Sequence, residues 1–296
     1  MTTPSLDTVC SGLAFPECPR WHDDRLWFSD VYANDVHRLD PSTGSSEIIA
    51  HIDGHPAGLG FLPDGRLLIA VGHTRTVMRR ESDGTLTPHA DLSGLATWHL
   101  NDMYVDGAGR AYVGNYGDAS APPDPVRPAV LTLVEPDGTV RPVADDLLFA
   151  NGMVATADGR TLIVAETRAI PGRLTAFTVG DDGSLTDRRT LIEFDRSVFP
   201  DGLAIDRDDA VWVASPFGSE VIRVSRSGVI TDRVPVANPY AVALGGRDGR
   251  DLFVCTAENW QPEIAARERT GAIVRLRVDV PGVDVPGVDV SGRPHA

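Results

Sequence analysis

Apolar residues in this chain come in short runs, each broken by a tight polar turn, and the plan recurs along the sequence. It is clearest in Phe199-Pro200-Asp201-Gly202-Leu203-Ala204-Ile205-Asp206-Arg207-Asp208-Asp209-Ala210-Val211-Trp212-Val213-Ala214-Ser215. That stretch holds an acidic residue, an apolar run, a polar turn and a second apolar run. Runs of this length bounded by turn residues predict strands, and Asp-Gly-like turns between them predict hairpins, since such turns take positive φ at little steric cost. Six segments share the plan: Pro19–Ser29, Gly58–Ala70, Asp102–Gly114, Gly152–Val164, the stretch above, and Ala241–Cys255. A second hairpin follows, as in Val36–Asp40 before Ser42-Thr43-Gly44 and Leu131–Val134 before Pro136-Asp137-Gly138. Each unit is then four strands in about 40–50 residues, the period of a propeller blade.

The fold class predicted is all-β: a six-bladed β-propeller with four antiparallel strands per blade, forming one domain over residues 1–282. Length alone, 296 residues, allows one large domain or two ordinary ones. Radial closure settles the matter and protects the sheet edges, whereas a sandwich or two small β domains leave the period unexplained. The 29 glycines and 22 prolines agree, and no long amphipathic helical pattern is visible. Val278-Asp279-Val280-Pro281-Gly282 is followed by two near copies. The first copy is placed to finish the last strand, and the repeats in 283–296 predict an extended or disordered tail. Asp118 to Pro128, with four prolines, is the main non-repeating loop and is placed to lie over one face.

A formal net charge of −15 argues against nucleic acid or an anionic membrane as partner and leaves a small molecule. Three cysteines, Cys10, Cys18 and Cys255, do not make a disulfide framework and point to a reducing compartment. With no signal-like start and no membrane-spanning run, a soluble cytoplasmic protein is expected.

The chemistry lies in one position that varies from unit to unit. Counting back eight residues from the second turn residue of each inner hairpin gives Asp201, Asn151 and Asn101. The first unit gives Glu17 with a one-residue slip, the second Ala57, and the sixth Ala241 or its neighbour Tyr240. In a propeller these positions face a common axis. Four oxygen-bearing side chains therefore converge, two of them carboxylates that repel unless a proton or cation neutralises them. Carboxylate and amide oxygens without His or Cys form a hard-cation set. Ca²⁺ is expected first, with Mg²⁺, Mn²⁺ or Zn²⁺ as alternatives.

Glu17-Cys18-Pro19-Arg20-Trp21, Asn101-Asp102 with Gly109-Arg110, Asn151-Gly152 and Pro200-Asp201-Gly202 resemble the motifs of the regucalcin (senescence marker protein)/gluconolactonase-like family of six-bladed propellers. The likeness runs over nearly the whole chain, to about residue 282. It implies that Glu17, Asn151 and Asp201 hold one divalent cation and that Asn101 touches substrate or the metal's water. His99 falls where sugar lactonases of the family place an arginine near substrate, and Cys18 replaces a small residue, often glycine. The expected activity is that of a divalent-metal-dependent hydrolase, a lactonase opening a small lactone ring, with Asp201 as ligand and general base and Asn101 as a catalytic substrate contact. Alternatives are a phosphotriester or non-hydrolytic reaction on the same site, or a propeller that binds a ligand or protein around a structural metal.

Glu166, Tyr116 and Glu258-Asn259 follow second strands and read as solvated loop residues, with channel lining as the alternative. His22, His37, His51, His55, His73 and His89 show no metal-ligand spacing and read as surface or turn residues. No Gly-x-Ser-x-Gly elbow appears, and no Gly-rich phosphate loop, so a nucleotide cofactor is not expected.

Overall fold

A computed structural model describes residues 5–120 and 124–283; the predicted tail beyond Val283 lies outside them. Six four-stranded antiparallel sheets surround a channel, as the repeat predicts. Their inner strands are Pro16–His22, Pro56–Phe61, Leu100–Val105, Ala150–Ala155, Leu203–Ile205 and Pro239–Gly245, in blades 1 to 6. Each inner strand touches the next, and blade 6 returns to blade 1.

The ring closes with the N-terminal strand. Asp7–Leu13 is the outer strand of blade 6, pairing Asp7 with Arg275 and Leu13 with Gly271. This corrects the expectation for Val278–Gly282, which does not finish a strand: Gly271–Arg277 ends first, and its free edge is already taken by the N-terminus. The segment runs instead to the lower end of the channel. There the Arg207 N–H donates to the Pro281 carbonyl, the Gly282 N–H donates to that of Gly249, and Gly282 bridges Asp206. Val283 packs beside the cluster holding Leu203 and Ile205, so the chain still touches the propeller at that residue.

Cohesion comes from apolar layers between neighbouring blades. Leu62, Leu68, Leu100 and Met103 join blades 2 and 3; Val154, Ile163, Leu203 and Val213 join blades 4 and 5. Leu26, Phe28, Phe253 and Ile273 join blades 1 and 6. At about 1.5–3 kcal/mol for each large side chain fully buried, these layers hold the ring without help from the channel's polar groups.

One element had no signal in the strand pattern: a short helix, Pro262–Glu268, between the second and third strands of blade 6. Its Ala265 is buried against Phe15, Tyr240 and Ala257, so the helix backs one wall of the upper channel.

Candidate functional site at the upper channel mouth

Each inner strand begins at the upper end, and its pairing is irregular just where the varying residue sits. Register breaks fall between Glu17 and Arg20, Pro56 and Leu59, Leu100 and Met103, and Ala150 and Met153. A bulge adds a residue and re-aims the side chain at that point. The residue that follows is glycine in three blades because the strands crowd there. A Cβ on Gly152 would lie 2.5 Å from the Asp201 carbonyl oxygen, and one on Gly202 2.5 Å from the Ala241 Cβ. In blade 6 the pairing of Pro239 with Thr256 makes Tyr240, rather than Ala241, the equivalent residue. The slip in blade 1 comes from its turn: only Asp23 and Asp24, both at positive φ, separate the two strands.

Asn101, Asn151 and Asp201 form a hydrogen-bonded chain across three blades. The Asn101 amide donates to Asn151 Oδ1 at 2.7 Å, and Asn151 Nδ2 donates to Asp201 Oδ1 at 2.6 Å and to Thr167 Oγ1 at 3.0 Å. Glu17 lines the same cavity as Asn101 and feels the charge of Asp201. All four predicted residues are therefore brought together. Burial, then the Asp201 charge, raises the Glu17 pKa well above the usual carboxylate range. Burial also pushes Asp201 up to about 8; its bonds from Asn151 and the Gly202 N–H oppose the rise, and the charge of Asp102 adds to it.

Beneath them Arg20 crosses the axis from blade 1 and donates to the Asp102 carboxylate and the Met103 carbonyl. The Arg20 guanidinium is thus already engaged. Cys18, buried and at positive φ, hydrogen-bonds Asp102, and burial keeps its thiol protonated.

The cavity above the carboxylates, of about 230 Å³, is lined by Phe15, Tyr32, His55, His73, Trp98 and His99, with Tyr116, Asp118 and Ser120 on the loop side. The loop beginning at Asp118 does reach over this face, tied down by Arg168 of blade 4, which donates to the Ser120 and Asp124 carbonyls. His99 stands in the wall of the cavity. His55 and His73 occupy turns but also line the cavity, which spacing arguments missed. A register count finds them, since they sit just before the inner strand and just after the second strand of blade 2. Tyr116 lines the cavity too, against its reading as a loop residue.

Glu166 is a correction of another kind. It is fully buried and neutralised by Arg173 at 2.9 Å and Arg188 at 3.3 Å, because it ends a strand packed inside blade 4. Glu258 remains exposed, and Asn259 donates to Glu268 of the short helix. His37 is buried in a strand against Phe28, not on the surface, whereas His51 is exposed and paired with Asp35.

Among the described residues no three His, Cys, Asp or Glu side chains form a metal cluster. A cation here would rest on two carboxylates and amide oxygens. That donor set suits a hard ion, and the two acids, lacking a basic partner, call for one.

Comparison with known proteins places this geometry. A family model described as the SMP-30/gluconolactonase/LRE-like region matches residues 15–258. A pentonolactonase of Haloferax volcanii is 28% identical over 291 residues, 95% of each chain. A 6-deoxy-6-sulfogluconolactonase of Pseudomonas putida is 28% identical over 283 residues, 90% of this chain and 92% of that one. In structure, a luciferin-regenerating enzyme superposes with a TM-score of 0.81 at 20% identity, covering 95% of this chain and 98% of that one. A calcium-binding regucalcin of Agrobacterium tumefaciens superposes with a TM-score of 0.79 at 20% identity, covering 95% and 97%.

Proposed function

The chain belongs to the SMP-30/gluconolactonase/LRE-like family, and we propose that it is a lactonase, opening a small lactone ring by hydrolysis with a divalent cation held at the channel mouth. The observation that carries the reading is the meeting of Glu17, Asn101, Asn151 and Asp201 from four blades, Glu17 and Asn101 lining the cavity and both acids driven toward neutrality. The lactonase names of the two sequence relatives support the reaction type.

Glu17, Asn151 and Asp201 would hold the cation, Ca²⁺ first among hard ions. Asn151 now turns its amide nitrogen to Asp201, and a half-turn of that amide would offer its oxygen instead. When bound, the ion supplies Lewis acidity toward a carbonyl oxygen and compensates the two carboxylates. Asp201, one of the only two acids in the set, would take the proton from the attacking water on the oxygen that does not hold the cation. Asn101 hydrogen-bonds the substrate, and His99 contacts it from the wall. No helix among the described residues is long and apolar enough to cross a membrane. The three cysteines are unpaired, and the cytoplasm remains the compartment that we propose.

The test is a lactone panel assayed with chelated protein and again after adding Ca²⁺, Mg²⁺, Mn²⁺ or Zn²⁺. Hydrolysis should vanish on chelation and return with one or more ions. In parallel, chelation should lower the melting temperature of the wild type but hardly affect Glu17→Gln/Asp201→Asn, because an ion that binds only the folded channel stabilises it. If both proteins respond alike, these residues are not the metal site.

A further inference from the structure

The walls of the cavity say more about the substrate than its floor does. Between Tyr32 and Trp98 three imidazoles stand side by side: His55 to His73 at 4.0 Å and His73 to His99 at 4.2 Å between ring centroids. Tyr32 meets His55 at 5.3 Å and Trp98 stacks on His99 at 4.6 Å, so five rings form one continuous wall. At its two ends the wall continues: Tyr116 meets His99 at 6.4 Å and stacks on Phe149 at 4.2 Å, and Phe15 lies between Tyr32 and Tyr240. Burial, and after it the neighbouring His73, lowers His55 and His99 to about 4, with Arg75 also acting on His99, so these two rings are uncharged at neutral pH.

No arginine lines the cavity among the described residues, and the chain contains no lysine. The acidic groups present, Glu17 and Asp118, would repel an anion. Fixed hydroxyl partners are scarce as well. The Tyr32 hydroxyl already donates to the Trp260 carbonyl, and Asp118 accepts from the Ser120 and Arg127 N–H groups. Ser120 Oγ is buried without a partner. At the mouth the exposed side chains are apolar: Trp98 is 38% exposed, Tyr116 37% and Trp260 48%. Exposed aromatic surface around a cavity marks a place where apolar ligand surface docks.

We infer that the substrate is a neutral lactone carrying a flat apolar group, such as an aryl ring, which lies along the wall from Tyr32 through His55, His73 and His99 to Trp98. This rests on the lactonase reading for the reaction and goes beyond it in naming the substrate class. A polyhydroxylated lactone would have to find a partner for each hydroxyl it buries. Here, beyond Asn101 on the floor, it meets three imidazoles and an already engaged Asp118 against a larger aromatic surface. An anionic lactone finds no arginine or lysine in the cavity lining, among the described residues, to pair with.

The experiment has a catalytic arm and a binding arm. In the first, kcat/KM is measured for dihydrocoumarin, δ-valerolactone, D-glucono-1,5-lactone and 6-phosphogluconolactone on the metal-loaded protein. Dihydrocoumarin should lead the gluconolactone by tenfold or more, and the phosphorylated lactone should be poorest. In the second, calorimetry follows binding of two lactams that cannot be hydrolysed, 3,4-dihydro-2-quinolinone and gluconolactam, and the aryl lactam should bind at least tenfold tighter. His73→Asn and, as a second variant, His99→Asn should each cut the aryl preference by about threefold to tenfold, the weight of a lost ring contact. A KM rise with kcat retained is expected, and circular dichroism confirms the fold. If no lactone is opened but the aryl lactam binds selectively, the reaction assignment fails while the ligand class stands. If lactones are opened but the sugar lactone is preferred, or both lactams bind equally, the class inference is overturned.

Discussion

The acids on the channel axis and the acids buried among the blades live under opposite rules. Away from the axis each fully buried carboxylate has an arginine: Glu166 has Arg173 and Arg188, Asp206 has Arg223 at 2.7 Å, and Asp30 has Arg269 at 3.6 Å. Asp102, just below the site, has Arg20. Glu17 and Asp201 are ion-paired with none, and among the described residues they are the only carboxylates whose pKa is shown pushed up. A fold that can neutralise buried acids elsewhere leaves two bare at one point. The difference teaches that blade acids serve cohesion, while the axial pair is a standing cost that the proposed cation would offset.

The largest expected effect breaks the pair on the axis. Asp201→Asn can still offer an oxygen but cannot take a proton. At saturating metal its kcat should stay down by about 10²–10⁴-fold, the contribution of a positioned general base. Full recovery of kcat with added metal would leave Asp201 as a ligand only. Asn101→Ala, by contrast, should chiefly raise KM if Asn101 binds ground and transition states equally.

Next comes the same chemical change among the blades. Asp206 accepts from the Asp208 and Ala210 N–H groups as well as from Arg223. Asp206→Asn leaves that guanidinium facing a neutral amide, and breaking a buried pair typically costs about 3–5 kcal/mol. Urea unfolding should show that loss, while kcat at a temperature where the variant is folded should be unchanged. A stable but inactive Asp206→Asn would erase the distinction between the two regions.

Smaller, and opposite in sign, is the response of the chelated protein to neutralising the axis. An acid whose folded pKa lies above its unfolded value stabilises the fold at low pH, and that contribution is lost as pH rises through the folded value. For Asp201 the window runs from about 4 to about 8. Chelated wild type should therefore melt higher at pH 5 than at pH 8. At pH 8 Glu17→Gln/Asp201→Asn should melt above it by about 1–2 kcal/mol, each pKa unit being worth about 1.4 kcal/mol before discounting for solvent in the cavity. If chelated wild type is equally stable at both pH values, the axial acids are not strained.

The same contrast explains what was legible in the sequence. Strand, turn and period are local, and each blade repeats them, so the propeller and the register of Asn101, Asn151 and Asp201 could be counted along the chain. Glu17 was reachable because a two-residue turn shifts the count by only one. What escaped depends on partners far apart in sequence. Arg173 and Arg188 turn Glu166 from a loop residue into a buried clamp. The three-histidine wall joins loops of blades 2 and 3, and no single segment shows it. The N-terminal closure escaped for the same reason: the edge of Gly271–Arg277 is free until a strand from the other end of the chain is placed against it.

The effect expected to leave the site untouched concerns the lower end of the channel, where Pro281, Gly282 and Val283 lie across blades 5 and 6. The contacts are few: the Arg207 N–H to the Pro281 carbonyl at 2.9 Å, the Gly282 N–H to the Gly249 carbonyl at 2.9 Å, and the partly buried Val283. Two backbone hydrogen bonds are worth about 0.5–1.5 kcal/mol each. A chain ending at Val278 should thus lose about 1–3 kcal/mol, and one ending at Val283 almost nothing. Neither should change kcat/KM or metal affinity, since the apolar layers between blades, not this segment, hold the four site residues in register. Denaturant midpoints and calorimetric metal titrations on the two truncated chains measure this directly. If the chain ending at Val278 stays folded yet loses metal affinity, the lower end positions the upper one, and the two regions are not independent.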